Sequence, residues 1–86
     1  MGFSLNQKGP EMTDGEWQDK VKGLLKGELK KKGVSYRDLA EKLTAMGIPE
    51  TEPNIANKIS RGTFPATFLL ASLKAIEADN LRLEDV

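Results

Sequence analysis

The 86-residue chain contains no cysteine and no histidine, and its aromatic residues are few: one tryptophan, one tyrosine and three phenylalanines. Without cysteine there is no disulfide framework, no thiolate metal site and no cysteine nucleophile. With histidine also missing, no glycine-rich phosphate loop after a strand and no carboxylate cluster placed in one cleft, the sequence supplies no catalytic constellation; no enzymatic activity, metal or cofactor is expected. The scarcity of aromatics weighs against RNA recognition by base stacking. No run of about 18 apolar residues is present, and the N-terminus lacks a basic region followed by an apolar one, which excludes a membrane span and a secretory signal. A cytoplasmic protein is expected, with no membrane association and no evident small-molecule ligand.

An excess of charge is also missing. Thirteen Lys and Arg balance thirteen Asp and Glu, and this neutrality argues against a strongly non-specific nucleic-acid binder. The charge is nevertheless uneven, because the stretch from Lys20 to Arg61 holds ten Lys or Arg against five acids. A local basic surface survives the overall balance.

What the sequence does contain is a succession of helix signals in one small domain. Residues 1–12, MGFSLNQKGPEM, mix Gly, Pro, Asn and Gln without apolar period and read as a flexible leader, with Met12 a candidate start. The domain is expected over residues 13–86. Thr13 and Glu16 form a capping box, after which Trp17, Val21, Leu24, Leu25 and Leu29 hold one helical face up to the Gly33 stop. Lys30, Lys31 and Lys32 crowd the last turn of this first helix, where cations suit the negative end of the dipole, with phosphate contact the alternative reading of the run. Gly23 and Gly27 in the same helix lower its propensity and hint at a close contact with another backbone. Ser35 and Asp38 open a second helix, with Tyr36, Leu39, Ala40, Leu43 and Met46 on one side and Gly47 as terminator.

The segment IPETEP is a turn, and Thr51 caps a third helix that tolerates Pro53 in its first turn and ends at Gly62. The stretch FPATFLLASLKAIE that follows is apolar almost all round. A fourth helix of this kind is expected to be central, with one side available to a second subunit. The closing NLRLEDV offers Leu81, Leu83 and Val86 for packing. The fold class is therefore all-α, a compact four- to five-helix bundle containing a helix-turn-helix.

The third helix carries the functional signal. Asn54, Asn57, Lys58 and Arg61 recur at the i, i+3, i+4, i+7 spacing of one face, with Ile55 and Ile59 opposite. Asn presents a carboxamide suited to adenine, and Lys and Arg donate to guanine acceptors, so the stripe matches the chemistry of major-groove base edges. A solvated face is polar in any case, yet two asparagines are poor helix formers and call for another reason to be there. Arg37, in the first turn of the second helix, is placed to meet a phosphate, whereas Ser35 reads as an N-cap and Tyr36 equally as core or as contact.

The strings LAEKLTAMGI, NIANKISRGTFP, FLLASLKAI and NLRLEDV together resemble the helix-turn-helix domain of the lambda-repressor-like (XRE) regulators, over roughly residues 17–86. The turn between the second and third helices is longer than is usual there. NIANKISRGTF more narrowly resembles a family of short bacterial helix-turn-helix-like proteins of unknown function. The resemblance implies that the third helix, about residues 51–61, reads DNA and that the loop after it touches phosphate through Thr63. The expected function is a sequence-specific double-stranded DNA-binding protein, a small transcriptional regulator acting as a homodimer, with Arg37, Asn54, Asn57, Lys58, Arg61 and Thr63 in contact. The alternative is a protein-interaction adaptor on the same fold, suggested by zero net charge, by Glu50 and Glu52 beside the reading helix and by the apolar fourth helix.

Overall fold

Local capping chemistry sets the helix boundaries, as seen in a computed structural model that describes residues 12–86. The expected flexible leader, residues 1–12, lies outside the described residues apart from Met12. The first helix, α1, spans Asp14–Lys32. At its start the Glu16 N–H donates to Thr13 Oγ1 (3.2 Å) and the Thr13 N–H donates to Glu16 Oε1 (2.8 Å), so each residue satisfies a backbone donor the helix leaves open. The second helix, α2 (Tyr36–Ala45), opens on the same device between Ser35 and Asp38. The third, α3 (Glu52–Arg61), is capped by Thr51, whose Oγ1 accepts from the Asn54 N–H (3.3 Å), with Pro53 in the first turn. The fourth, α4 (Ala66–Ala75), starts after Pro65 without a side-chain cap, and a single 3-10 turn, Leu83–Asp85, follows.

Three helices end in one way. A residue in the left-handed region closes the helix, and the next residue sends its N–H back to a leucine carbonyl: Val34 to Leu29, Ile48 to Leu43 and Ala78 to Leu73, each at 2.9 Å. Val34, Ile48 and Ala78 are half-buried against the core, so each reversal also supplies an apolar side chain to the interior. The left-handed residue is glycine in the first two cases but Glu77 (φ 59°) in the third. Lys32 Nζ donates to the Glu77 carbonyl (3.2 Å), which ties the end of α1 to the end of α4.

The core is built from Leu25 and Leu29 of α1, Leu39, Ala40 and Leu43 of α2, Ile55 and Ile59 of α3, Phe68 and Leu73 of α4, and Ile76 just beyond it. Both α3 and α4 pack on α1 and on α2, so the two inner contacts of α3 hold it in the angle between the first two helices. The chain is all-α, a small bundle, and among the described residues no helix is long and apolar enough to cross a membrane.

Several side chains assigned to apolar faces stand in solvent. Trp17 is 50 % exposed and Met46 48 % exposed. Trp17 lies beside the line of α1 that turns inward: buried Leu25 and Leu29 are continued toward the N-terminus by half-buried Lys22 and Gln18, and it is Gln18 that the end of α3 meets. Burial on the apolar side falls from Leu29 and Leu25, through half-buried Leu24 and Val21, to Trp17. Helix α4 is not surrounded either; Phe68, Ser72 and Leu73 face inward while Leu70 on the far side is 61 % exposed. Gly23 and Gly27 are exposed, and a Cβ added to either would meet nothing within 4 Å, so neither serves a close contact within the described chain.

Gly62 is the opposite case. It is buried, has φ +70°, and a Cβ there would fall 2.8 Å from the Gln18 carbonyl oxygen and 3.1 Å from Gln18 Cβ. The end of α3 thus rests directly on the backbone of α1. Gly33 shares the backbone conformation (φ +69°) but faces open space. Gly33→Ala is expected to cost about 1 kcal/mol, the left-handed penalty alone, and Gly62→Ala at least about 2 kcal/mol because sterics add to it. Urea unfolding of both variants measures the difference; equal losses would refute the close approach. Glu77→Gly relieves the same backbone penalty and should raise Tm by about 4–8 °C for a gain near 1 kcal/mol, with no gain expected if Glu77 were not left-handed.

Candidate nucleic-acid interface

Helix α3 presents its polar face because its other face is fully committed. Ile55 is 0 % and Ile59 1 % exposed, and buried Gly62 continues their side. At 3.6 residues per turn, the positions most directly opposite are Pro53, Asn57, Ser60 and Arg61, and all four are exposed. Asn54 is also exposed, toward one flank of that face. The side chains of Asn54, Asn57 and Arg61 make no hydrogen bond or ion pair among the described residues, so two carboxamides and a guanidinium keep their full donor and acceptor capacity for another molecule.

Lys58 has a different environment. It is half-buried, its Nζ forms an ion pair with Glu50, and the same nitrogen stands 4.8 Å above the centroid of the Phe68 ring. Phe68 in turn receives Phe64 edge-on, with ring centroids 5.2 Å apart and planes at 62°. The Glu50 side chain is only 5 % exposed, one of its oxygens takes the Lys58 ammonium, and the other, Oε1, is buried without a hydrogen-bond partner. A solitary buried carboxylate is costly, so the lysine offsets that cost by lying across the α2–α3 connection and against α4.

The connection itself is pinned. Thr44 Oγ1 both accepts from the Glu50 N–H and donates to the Glu50 carbonyl, at 3.3 Å each. The long turn from Met46 to Thr51 is therefore closed at one end by the Ile48 reversal and at the other by Thr44, and Glu50 emerges from it aimed at α3.

Of the remaining expected contacts, Arg37 is exposed in the first turn of α2 and pairs with Glu41 at 3.8 Å, both ends being solvated. Thr63 is exposed immediately after Gly62. The expected contacts thus fall into two groups, an α3 set of Asn54, Asn57 and Arg61 and two outlying positions on α2 and after α3, with Lys58 turned toward the core. Sequence reasoning passed over Pro53 and Ser60, which share the outward face with Asn57 at spacings of four and three. Their helical spacing is the signal for them, although neither residue carries a charge or a carboxamide. Among the described residues no group of three or more acidic side chains is placed to hold a metal ion.

No curated protein and no solved structure matches the chain. Residues 17–81, which include α1 from Trp17 and the whole of α2, α3 and α4, match a domain of unknown function, DUF6471. That match spans well over half of the 86 residues, and the chain belongs to the DUF6471 family.

Proposed function

We propose that this chain is a sequence-specific double-stranded DNA-binding protein, a small transcriptional regulator of the lambda-repressor-like (XRE) helix-turn-helix kind, that seats α3 in the major groove. The observation that carries the proposal is the division of α3: Ile55 and Ile59 are buried, while the side chains of Asn54, Asn57 and Arg61 are exposed with no polar partner among the described residues. Asn57, in the interior of α3, gives up helix stability, and base-edge recognition supplies a return that solvation alone does not. Arg37, whose solvated pairing with Glu41 is weak and exchangeable, serves as a phosphate contact, and Thr63 extends the backbone contacts beyond α3. The exposed Leu70 of α4 and Leu83 of the closing turn, 61 % and 75 % exposed, offer apolar surface for a homodimer that would read two half-sites.

An adaptor function on the same scaffold is the rival reading, favoured by the zero net charge and by the half-exposed Trp17. Selection of binding sites from a random double-stranded pool at moderate salt separates the two: an enriched motif supports the regulator, and no salt-sensitive retardation of any sequence supports the adaptor. Light scattering should give twice the chain mass, and a monomer at high concentration would remove the two-half-site arrangement.

Asn57→Ala and Arg61→Ala should each lower affinity for the selected site roughly 10- to 100-fold, the loss of one good base contact, with thermal unfolding unchanged. Wild-type binding by both variants would show that the reading face is wrongly assigned. Arg37→Ala should weaken all sequences alike and make the slope of log K against log salt shallower by about 0.9, the signature of one lost phosphate contact. An unchanged slope would place Arg37 away from the DNA backbone.

A further inference from the structure

Lys58 falls on the helical stripe together with Asn54, Asn57 and Arg61, yet its ammonium group is turned to the Glu50 carboxylate and the Phe68 ring. We propose that Lys58 is a positioning residue and not a DNA contact: with Glu50 and Phe68 it forms an internal clamp that fixes the pose of α3. Three separate parts of the chain meet at its nitrogen. Glu50 belongs to the turn between α2 and α3, Lys58 to the middle of α3, and Phe68 to α4.

The electrostatics make this arrangement hard to leave. Withdrawing the ammonium toward a phosphate would strand the Glu50 carboxylate, 5 % exposed and already lacking a partner at Oε1, with no counter-charge. It would also give up the cation–π contact with a ring that is 5 % exposed. A phosphate at the surface offers Lys58 one salt-screened contact in exchange for these two partly desolvated ones. Glu50 is itself held by two hydrogen bonds to Thr44, so the clamp transmits the position of α2 to α3 through the turn. The inference that the clamp sets docking geometry rests on the DNA-binding proposal; the inward commitment of Lys58 does not.

The test uses three variants of the full chain: Lys58→Met, Glu50→Met and the double variant. Methionine keeps an unbranched side chain over the Phe68 ring and removes the charge. Lys58→Met alone, which leaves the carboxylate buried and unpaired, should lower Tm by about 10 °C. The double variant, with neither charge, should recover most of that loss. A Lys58→Met variant with wild-type Tm, or single losses that simply add in the double variant, overturns the clamp.

The second arm measures DNA affinity against salt for the wild type and the double variant. A positioning role predicts the same slope for both, whereas a phosphate contact by Lys58 predicts a slope shallower by about 0.9 in the double variant and overturns the assignment. If the wild type binds no DNA, the proposed function fails, and the thermal arm decides the clamp without it.

Discussion

A helix of ten residues does not persist in water by itself, because nucleation is costly and few hydrogen bonds repay it, and α3 has only ten residues with two asparagines and a proline among them. Its existence depends on the burial of Ile55 and Ile59 in the angle between α1 and α2. Full burial of two such side chains contributes about 3–6 kcal/mol, comparable with the whole net stability of a small domain. That burial also decides which side chains are left outside. Once the two isoleucines are inside, Asn57, Ser60 and Arg61 face solvent, so the candidate interface is a geometric consequence of the core.

The helix boundaries were legible in the sequence because caps are local. Thr13 with Glu16, Ser35 with Asp38, and Thr51 before Pro53 act within one turn, and the left-handed stops at Gly33, Gly47 and Gly62 need no distant partner. What was not legible depends on residues brought together by folding. The commitment of Lys58 rests on Glu50 eight positions earlier and Phe68 ten positions later, and a helical wheel contains neither. Gly62 reads as an ordinary helix stop, yet its lack of a Cβ is also demanded by Gln18 in the first helix. Trp17 completes an apolar stripe in the sequence, but which positions of α1 are covered depends on where the other helices lie against it, and the end of α3 meets Gln18.

The local basicity of the middle of the chain must be read in the same three-dimensional terms. Of the ten cations between Lys20 and Arg61, Lys22, Lys31, Arg37 and Lys58 are paired with acids, although each of the first three pairs has at least one well-solvated end and is weak. The Lys58 pair is the one with a buried partner, and it removes a charge from the face the sequence assigned to it. Under the DNA-binding proposal, α3 then presents one cation, Arg61, beside two carboxamides.

If the DNA-binding proposal holds, a neutral protein with one unpaired cation on α3 cannot rely on counterion release for most of its affinity, since that term grows with the number of phosphates neutralised. Under that proposal, binding has to come mainly from hydrogen bonds to base edges, whose strength depends on angle and distance far more sharply than that of a screened charge does. Placement of α3 to within a fraction of an ångström therefore matters more here than on a strongly basic scaffold. The isoleucines set the depth of the helix, the Gly62 contact with Gln18 sets its far end, and the Glu50, Lys58 and Phe68 clamp restrains rotation about its axis. A lysine held inside is in this sense worth more to recognition than one released to solvent, because it orients the three side chains that can still make contacts.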